Sequence, residues 1–149
     1  MINFFCPAHR DWVYLNCDKA LENSFASEQS GNTLMQNGLF ADALAHLGCA
    51  YEAVEIFLQM HGTQNWQHVT RLTTLSLATA QCCYELRQYD NERAILQRCI
   101  AFLSDRVALL KRGSKEREFM QFCLESLHEC LPYTSMSQVQ NTRREYRFH

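Results

Sequence analysis

The sequence is poor in the residues that interrupt helices. Only two prolines and five glycines occur among its 149 residues, so long helices meet few obstacles. Strand signals are also missing, because no run of alternating β-branched residues lies between turn dipeptides. The length suits one domain with a single core. We therefore predict an all-α fold.

Neither an excess of positive charge nor a long apolar run is present. The formal net charge is −2, whereas a general nucleic-acid binder usually carries a basic excess. No apolar run approaches the roughly 20 residues that cross a bilayer. The opening MINFFCPAHRDW lacks the charged start and sustained apolar stretch of a secretion signal. We expect a cytoplasmic protein with neither nucleic-acid nor membrane partners.

Cysteine, by contrast, is abundant, with eight residues in the chain. An even count suggests disulfides mainly in small secreted proteins, and no export signal is present here. Most of these cysteines fall at the apolar phase of helical segments, where free cysteine behaves as a small hydrophobe. We predict reduced cysteines packed in the core.

Apolar residues recur at steps of three and four along most of the chain, which is typical of helices that bury one face. Three periodic segments cover residues 39–60, 66–86 and 89–110. A fourth follows the polar turn KRGSKERE and includes Phe119 and Phe122 among its apolar positions. Residues 8–36 also fit a helix, with Pro7 in its first turn.

These segments predict about five helices in one domain over residues 1–132. The remainder, residues 133–149, is polar and aperiodic, with a basic cluster at Arg143, Arg144 and Arg147. Terminal charge runs of this kind are commonly mobile. We expect a flexible tail, although a short arm that contacts a partner is the alternative.

Small residues recur in the stretch SGNTLMQNGLFADALAHLGCAYEA, residues 30–53. Gly31 precedes a turn at Gly38, and Ala43 and Ala50 follow it seven residues apart, which is about two helical turns. Antiparallel helices approach closely only where small side chains lie between them. The pattern predicts a hairpin of two helices that turns at Gly38.

This stretch resembles the tetratricopeptide repeat, a helical-hairpin motif of about 34 residues. The positions that match the motif are Gly31, Asn32, Gly38, Phe40, Ala43, Leu47 and Ala50. The motif's tryptophan, a leucine and its closing proline are replaced by Ser27, Ser30 and Glu55.

A second, degenerate copy lies in ATAQCCYELRQYDNERAILQRC. Ala80 takes the small position, Arg87 the turn and Tyr89 the aromatic position, whereas Glu92 stands where alanine is expected. The two turns are 49 residues apart. Either the helices are longer than standard, or an insertion such as HGTQNWQHVT lies between the copies. A plain helical-hairpin protein without a groove is the alternative interpretation.

The resemblance implies stacked hairpins in a right-handed array whose first helices form a concave, protein-binding face. The residues expected on that face are Phe25, Glu28, Asn32, Met35, Gln36, Leu77, Gln81, Tyr84 and Glu85. Some family members hold a terminal carboxylate with a lysine where this chain has Glu28, so that clamp is not expected here. The face suits a basic or apolar peptide or helix of another protein.

The function that the resemblance implies is a protein–protein interaction module: an adaptor, a chaperone-like protein or a regulator. Two hairpins are fewer than the three or more repeats that such stacks usually need. A second copy of the chain could cover the uncovered apolar ends, which would make a homodimer.

Catalytic motifs are missing from the sequence. There is no phosphate-cradling glycine loop, nucleophile elbow or histidine pair around a glutamate. His46 and Cys49 lie three residues apart and could pair as base and nucleophile, but ordinary core packing is the favoured interpretation. We expect no enzyme and no cofactor.

A metal site is the remaining possibility for the N-terminal residues. Cys6, His9 and Cys17 carry good zinc ligands within a dozen residues, yet no fourth ligand is visible nearby. Scattered cysteines and a surface histidine are the simpler interpretation, so we expect no bound metal. The alternative function is a small regulatory protein with an N-terminal Cys/His metal or thiol switch.

Overall fold

The computed structural model describes residues 3–131, which form six α-helices and no strands. The helices are α1 (Pro7–Leu15), α2 (Cys17–Gln36), α3 (Phe40–His61), α4 (Trp66–Glu85), α5 (Tyr89–Val107) and α6 (Lys115–Cys130). The all-α prediction is confirmed. The predicted C-terminal tail lies outside the described residues. Across residues 3–131, no helix combines the length and apolar character that spanning a bilayer requires.

A break at Asn16 divides the helix predicted over residues 8–36 into α1 and α2, giving six helices rather than about five. The backbone of Asn16 leaves the helical region, with φ −133° and ψ 45°. Its side-chain amide donates to the carbonyl oxygen of Trp12 at 2.9 Å, the same oxygen that accepts from its backbone N–H. The break lets α1 fold back so that Val13 packs, fully buried, with Ala53 of α3.

The first hairpin turns at Gly38, as predicted. Gly38 has a φ of +74°, a conformation that favours glycine, and it lies between the end of α2 and the start of α3. A methyl group at Gly31 would lie 2.6 Å from Cγ of Leu47, so the absence of a side chain lets α2 approach α3. Ala43 and Ala50 are fully buried. The small residues therefore have the packing role that the sequence predicted.

The second hairpin, α4 and α5, turns at Arg87. This residue adopts a φ of +60° although it carries a side chain. Gln88 beyond it donates its backbone N–H to the carbonyl oxygen of Cys83 at 2.8 Å, which closes the end of α4. Only residues 62–65 separate α3 from α4, so the 49-residue spacing of the turns comes from long helices and not from an insertion.

The helices form two layers that are joined by consecutive packing. Each helix from α2 onward packs on the next, and α4 also packs on α6. Arg71 of α4 reaches Glu28 of α2, and Arg98 of α5 reaches Glu55 of α3. Helices α2, α4 and α6 therefore lie side by side, with α3 and α5 behind them. We refer to the solvent side of α2, α4 and α6 as the α2–α4–α6 face.

Candidate functional site

The nine residues predicted to contact a partner lie on α2 and α4, and none of them is buried. The exposed ones are Phe25, Asn32, Gln36 and Glu85, and the half-buried ones are Glu28, Met35, Leu77, Gln81 and Tyr84. The structure thus places all nine where solvent reaches them. Whether a partner binds there stays a prediction.

Arg71 engages two of the predicted contact residues within the chain. Its Nε lies 3.3 Å from Oε1 of Glu28, and its Nη2 donates to Oγ of Ser24 at 3.1 Å. Its guanidinium carbon also lies 3.8 Å above the centre of the Phe25 ring, a cation–π distance. Glu28 is therefore already compensated by a positive charge. The sequence pattern did not reveal Arg71, because the periodicity of one helix does not show which residue of another helix it faces.

The predicted residues near the end of α4 also contact one another. Gln81 donates its side-chain amide to Oε1 of Glu85 at 2.8 Å. The rings of Tyr84 and Tyr89 meet edge to face, with centroids 6.0 Å apart. These contacts fix the side chains next to the second turn.

An aromatic patch, formed by the exposed Trp66 and Phe122 and the half-buried Phe119, lies where α4 meets α6. Trp66 is 61% exposed and Phe122 is 65% exposed. The rings of Trp66 and Phe119 are 6.1 Å apart and nearly perpendicular. Phe122 follows Phe119 by three residues, so both lie on neighbouring positions of the α6 surface.

The prediction that Phe122 belongs to the apolar face of its helix is wrong. The buried positions of α6 are Met120, Cys123 and Leu127, one face at steps of three and four. Phe119 and Phe122 form a second, adjacent row. The two rows overlap in the sequence pattern, and the packing of α6 against both α5 and α4 decides which one is covered.

Carboxylates outnumber basic side chains on the three helices of the α2–α4–α6 face. Together α2, α4 and α6 contain eight aspartate or glutamate residues and four lysine or arginine residues. On α6, the exposed Glu118 and Glu125 lie four residues before and three residues after Phe122. Such spacing places both carboxylates beside the phenyl ring. The aromatic patch therefore has acidic neighbours.

Two carboxylates on α3 are buried, which the sequence pattern did not predict. Glu52 is fully buried; its Oε2 accepts from Nη1 of Arg10 at 2.8 Å, and its Oε1 accepts from the backbone N–H of Phe4. Residues of the N-terminal segment and of α1 are thereby attached to α3. The phenyl ring of Phe4 lies where Gly48 leaves room for it.

Glu55 lies one turn further along α3 and binds Arg98 of α5. The guanidinium donates to Oε1 at 2.6 Å and to Oε2 at 3.0 Å. The hydroxyl of Tyr51 donates to the same carboxylate at 2.8 Å. Burial is the main cause that raises the pKa of Tyr51 well above its ordinary value, and the charges of Cys99 and Glu55 raise it further. The phenol therefore remains a neutral donor. These bonds join α3 to α5 and have a structural role.

A pocket of about 310 Å³ lies between α1, α2 and α3. His9 and Trp12 line it from α1, and His46 and Cys49 line it from α3. Burial and the charge of Glu52 raise the pKa of the Cys49 thiol. An activated nucleophilic cysteine needs the opposite shift, because the thiolate is the reactive form. This shift does not favour a thiolate at Cys49.

All eight cysteines are free, and four of them are buried: Cys82, Cys83, Cys99 and Cys123. Burial is the main cause that raises the pKa to about 11 for Cys82 and to about 12 for Cys83 and Cys99. The prediction of reduced cysteines packed in the core is confirmed for these four.

The three predicted metal-ligand candidates are not brought together. Cys6 is exposed, and the His9 ring stacks on Phe5 with centroids 4.5 Å apart. Cys17 instead lies in a cluster with Asp18 and His61, whose ligand atoms are all within 4.8 Å of one another. His61 comes from the end of α3, so the sequence pattern around Cys17 gave no sign of it.

Comparisons with known proteins identify no relative of this chain. No protein-family model, no curated protein and no solved structure matches it. The resemblance to the tetratricopeptide repeat therefore gains no support from these comparisons.

Proposed function

We propose that this protein is a protein–protein interaction module that binds a basic, partly apolar peptide or helix of another protein along its α2–α4–α6 face. The observation that carries this proposal is the aromatic patch of Trp66, Phe119 and Phe122 with acidic side chains around it. Aromatic side chains are the commonest anchors at protein interfaces.

The patch supplies apolar area in a place where the fold does not require it. Trp66 and Phe122 each leave more than half of their surface in water, although the core of α6 is complete without them. Burying a large side chain stabilises a complex by about 1.5–3 kcal/mol through the hydrophobic effect alone. A partner that inserts an apolar residue between these rings would gain that contribution.

The charges of the face favour a basic partner. Glu118 and Glu125 flank Phe122, and carboxylates are in excess on all three helices taken together. Complementary charges raise association rates and select among partners, more than they raise affinity. Arg71 already compensates the charge of Glu28, so the carboxylates that would attract a basic partner lie mainly on α6 and at the end of α4.

The contacts among α2, α4 and α6 are a second support for the proposal. The first helices of two hairpins, α2 and α4, lie side by side, and α6 continues the same layer. In stacks of this type the first helices form the binding surface. The predicted residues Met35 and Tyr84 would then contact a partner that extends beyond the aromatic patch.

The test uses synthetic helical peptides with lysine or arginine and leucine or phenylalanine at helical spacing, and their charge-reversed versions. The full chain should bind the basic set, more weakly as salt rises. Phe122→Ala should weaken binding at least about tenfold, and Tyr84→Ala should weaken it for the longer peptides. Leu109→Ala is the matched control, since Leu109 is exposed and apolar but follows α5, outside the α2–α4–α6 face.

Equal binding of charge-reversed peptides, or an unchanged affinity in Phe122→Ala, would contradict the proposal. Sedimentation at several concentrations tests the homodimer separately. Dimerisation that disappears in Phe122→Ala would show that a second copy, and not a peptide, occupies the patch.

A further inference from the structure

A cluster of Cys17, Asp18 and His61 lies at the open end of the first hairpin, opposite the turn at Gly38. Cys17 and Asp18 open α2, and His61 is the last residue of α3. The Sγ atom of Cys17 lies 3.2 Å from Nε2 of His61, and that nitrogen lies 3.9 Å from Oδ1 of Asp18. None of these three residues belongs to the aromatic patch or to the carboxylates of α6 beside it.

The spacing of the three donor atoms is close to that of a zinc site. Zinc binds thiolate sulfur at about 2.3 Å, imidazole nitrogen at about 2.0 Å and carboxylate oxygen at about 2.0–2.2 Å, usually as a tetrahedron. Ligand atoms in such a tetrahedron are roughly 3.3–3.6 Å apart. The observed 3.2 and 3.9 Å bracket that range, and all three atoms lie within 4.8 Å of one another. Only small side-chain rotations are needed to bring the three ligand atoms to the spacing of a zinc site.

The chemistry of the donors selects the type of cation. One thiolate, one imidazole and one carboxylate suit zinc, whereas magnesium and calcium prefer sites made of oxygen alone. Three protein ligands leave a fourth position for water. The site is also accessible, because Asp18 is 86% exposed and His61 is at the surface.

The surroundings orient the imidazole. The ring of Phe57, one turn earlier on α3, stacks against His61 with centroids 4.5 Å apart. This contact limits the rotation of the histidine and keeps Nε2 directed towards Cys17. Neighbouring groups that fix a ligand in this way raise metal affinity.

We propose that Cys17, Asp18 and His61 bind one zinc ion, which joins the start of α2 to the end of α3. On binding, the Cys17 thiol releases its proton to solvent and the thiolate sulfur coordinates the metal. Nε2 of His61 and one carboxylate oxygen of Asp18 complete the protein ligands, and a water molecule fills the fourth position. The metal would close a loop of 44 residues at the end that the Gly38 turn does not constrain.

The test is a titration of the reduced, metal-free full chain with Zn²⁺ by calorimetry and with Co²⁺ by absorption spectroscopy. Cobalt should give the near-ultraviolet charge-transfer band of a thiolate ligand. Cys17→Ser should abolish that band, and His61→Gln and Asp18→Asn should each weaken Zn²⁺ binding at least about tenfold. Zn²⁺ should raise the thermal midpoint of the wild type and not that of Cys17→Ser.

Cys6→Ser and His9→Gln are the controls, since neither residue belongs to the cluster, and both variants should bind as the wild type does. Equal binding in wild type and in Asp18→Asn, whose exposed position spares the fold, would overturn the proposal. So would competition by millimolar Mg²⁺, or a loss of binding in Cys6→Ser. The metal titrations use no peptide, so their outcome is independent of whether the protein binds a peptide along its α2–α4–α6 face.

Discussion

Arg98 compensates two carboxylates in the interior, and its replacement by methionine would leave them without this cation. The guanidinium binds Glu55 at 2.6 and 3.0 Å and lies 3.8 Å from Glu52. Glu55 is only 3% exposed and Glu52 is fully buried. Removing one partner of a buried ion pair typically costs about 3–5 kcal/mol, because an uncompensated charge remains.

The expected loss for Arg98→Met lies at the lower end, about 3 kcal/mol, because other partners remain. Tyr51 still donates to Glu55, and Arg10 still binds Glu52. Folded domains are stable by about 5–15 kcal/mol, so this loss is a large fraction of the total. With a urea dependence of about 2 kcal/mol per molar, the unfolding midpoint should fall by about 1.5 M.

Urea unfolding followed by helical circular dichroism measures the effect, and a double-mutant cycle isolates the pair. Glu55→Leu combined with Arg98→Met removes both charges, so the double variant should lose at least about 2 kcal/mol less than the sum of the single variants. Lys19→Met is the matched control. Lys19 lies 3.6 Å from Glu22 in an exposed pair, whose loss should change stability by less than about 0.5 kcal/mol.

A midpoint shift in Arg98→Met no larger than that of Lys19→Met would mean that Arg98 does not stabilise the buried carboxylates. Strict additivity in the cycle would contradict the prediction as well, because it would mean that the two side chains do not stabilise each other. Either result would remove the structural role assigned to the contact between α3 and α5.

Two further predictions concern the turns and the thiols. Arg87→Gly should raise the free energy of unfolding and Gly38→Ala should lower it, each by about 1 kcal/mol, because both positions have a left-handed φ. Thermal midpoints that shift in the same direction for both variants would contradict this. A thiol-specific reagent should label the exposed Cys6 in the native protein. Cys83 and Cys99 should react only after unfolding, because they are buried and burial raises their pKa to about 12. Rapid native labelling of Cys99, mapped by mass spectrometry, would show that the core opens.

Most of the helices and the first turn follow from local patterns in the sequence. Apolar periodicity is a local property, so the ranges predicted from it agree with α3, α4 and α5 to within a few residues. The roles of Gly31 and Gly38 were also predictable, because glycine weakens a helix and is therefore typical of a close helix contact or a turn. The break at Asn16 was missed, since it depends on α1 packing against α3 as well as on the local sequence.

Which distant side chains meet depends instead on how the helices pack. Arg71 with Glu28, Arg98 with Glu55 and Cys17 with His61 are pairs separated by 43 or 44 residues. A helical pattern tells which face of a segment is apolar, but it does not tell which helix will lie beside that face. Phe122 was left in solvent for the same reason, because the packing of α6 against α5 and α4 sets which of its two rows is covered. The fold class is thus encoded locally, whereas the ion pairs, the aromatic patch and the cluster of Cys17, Asp18 and His61 arise from packing.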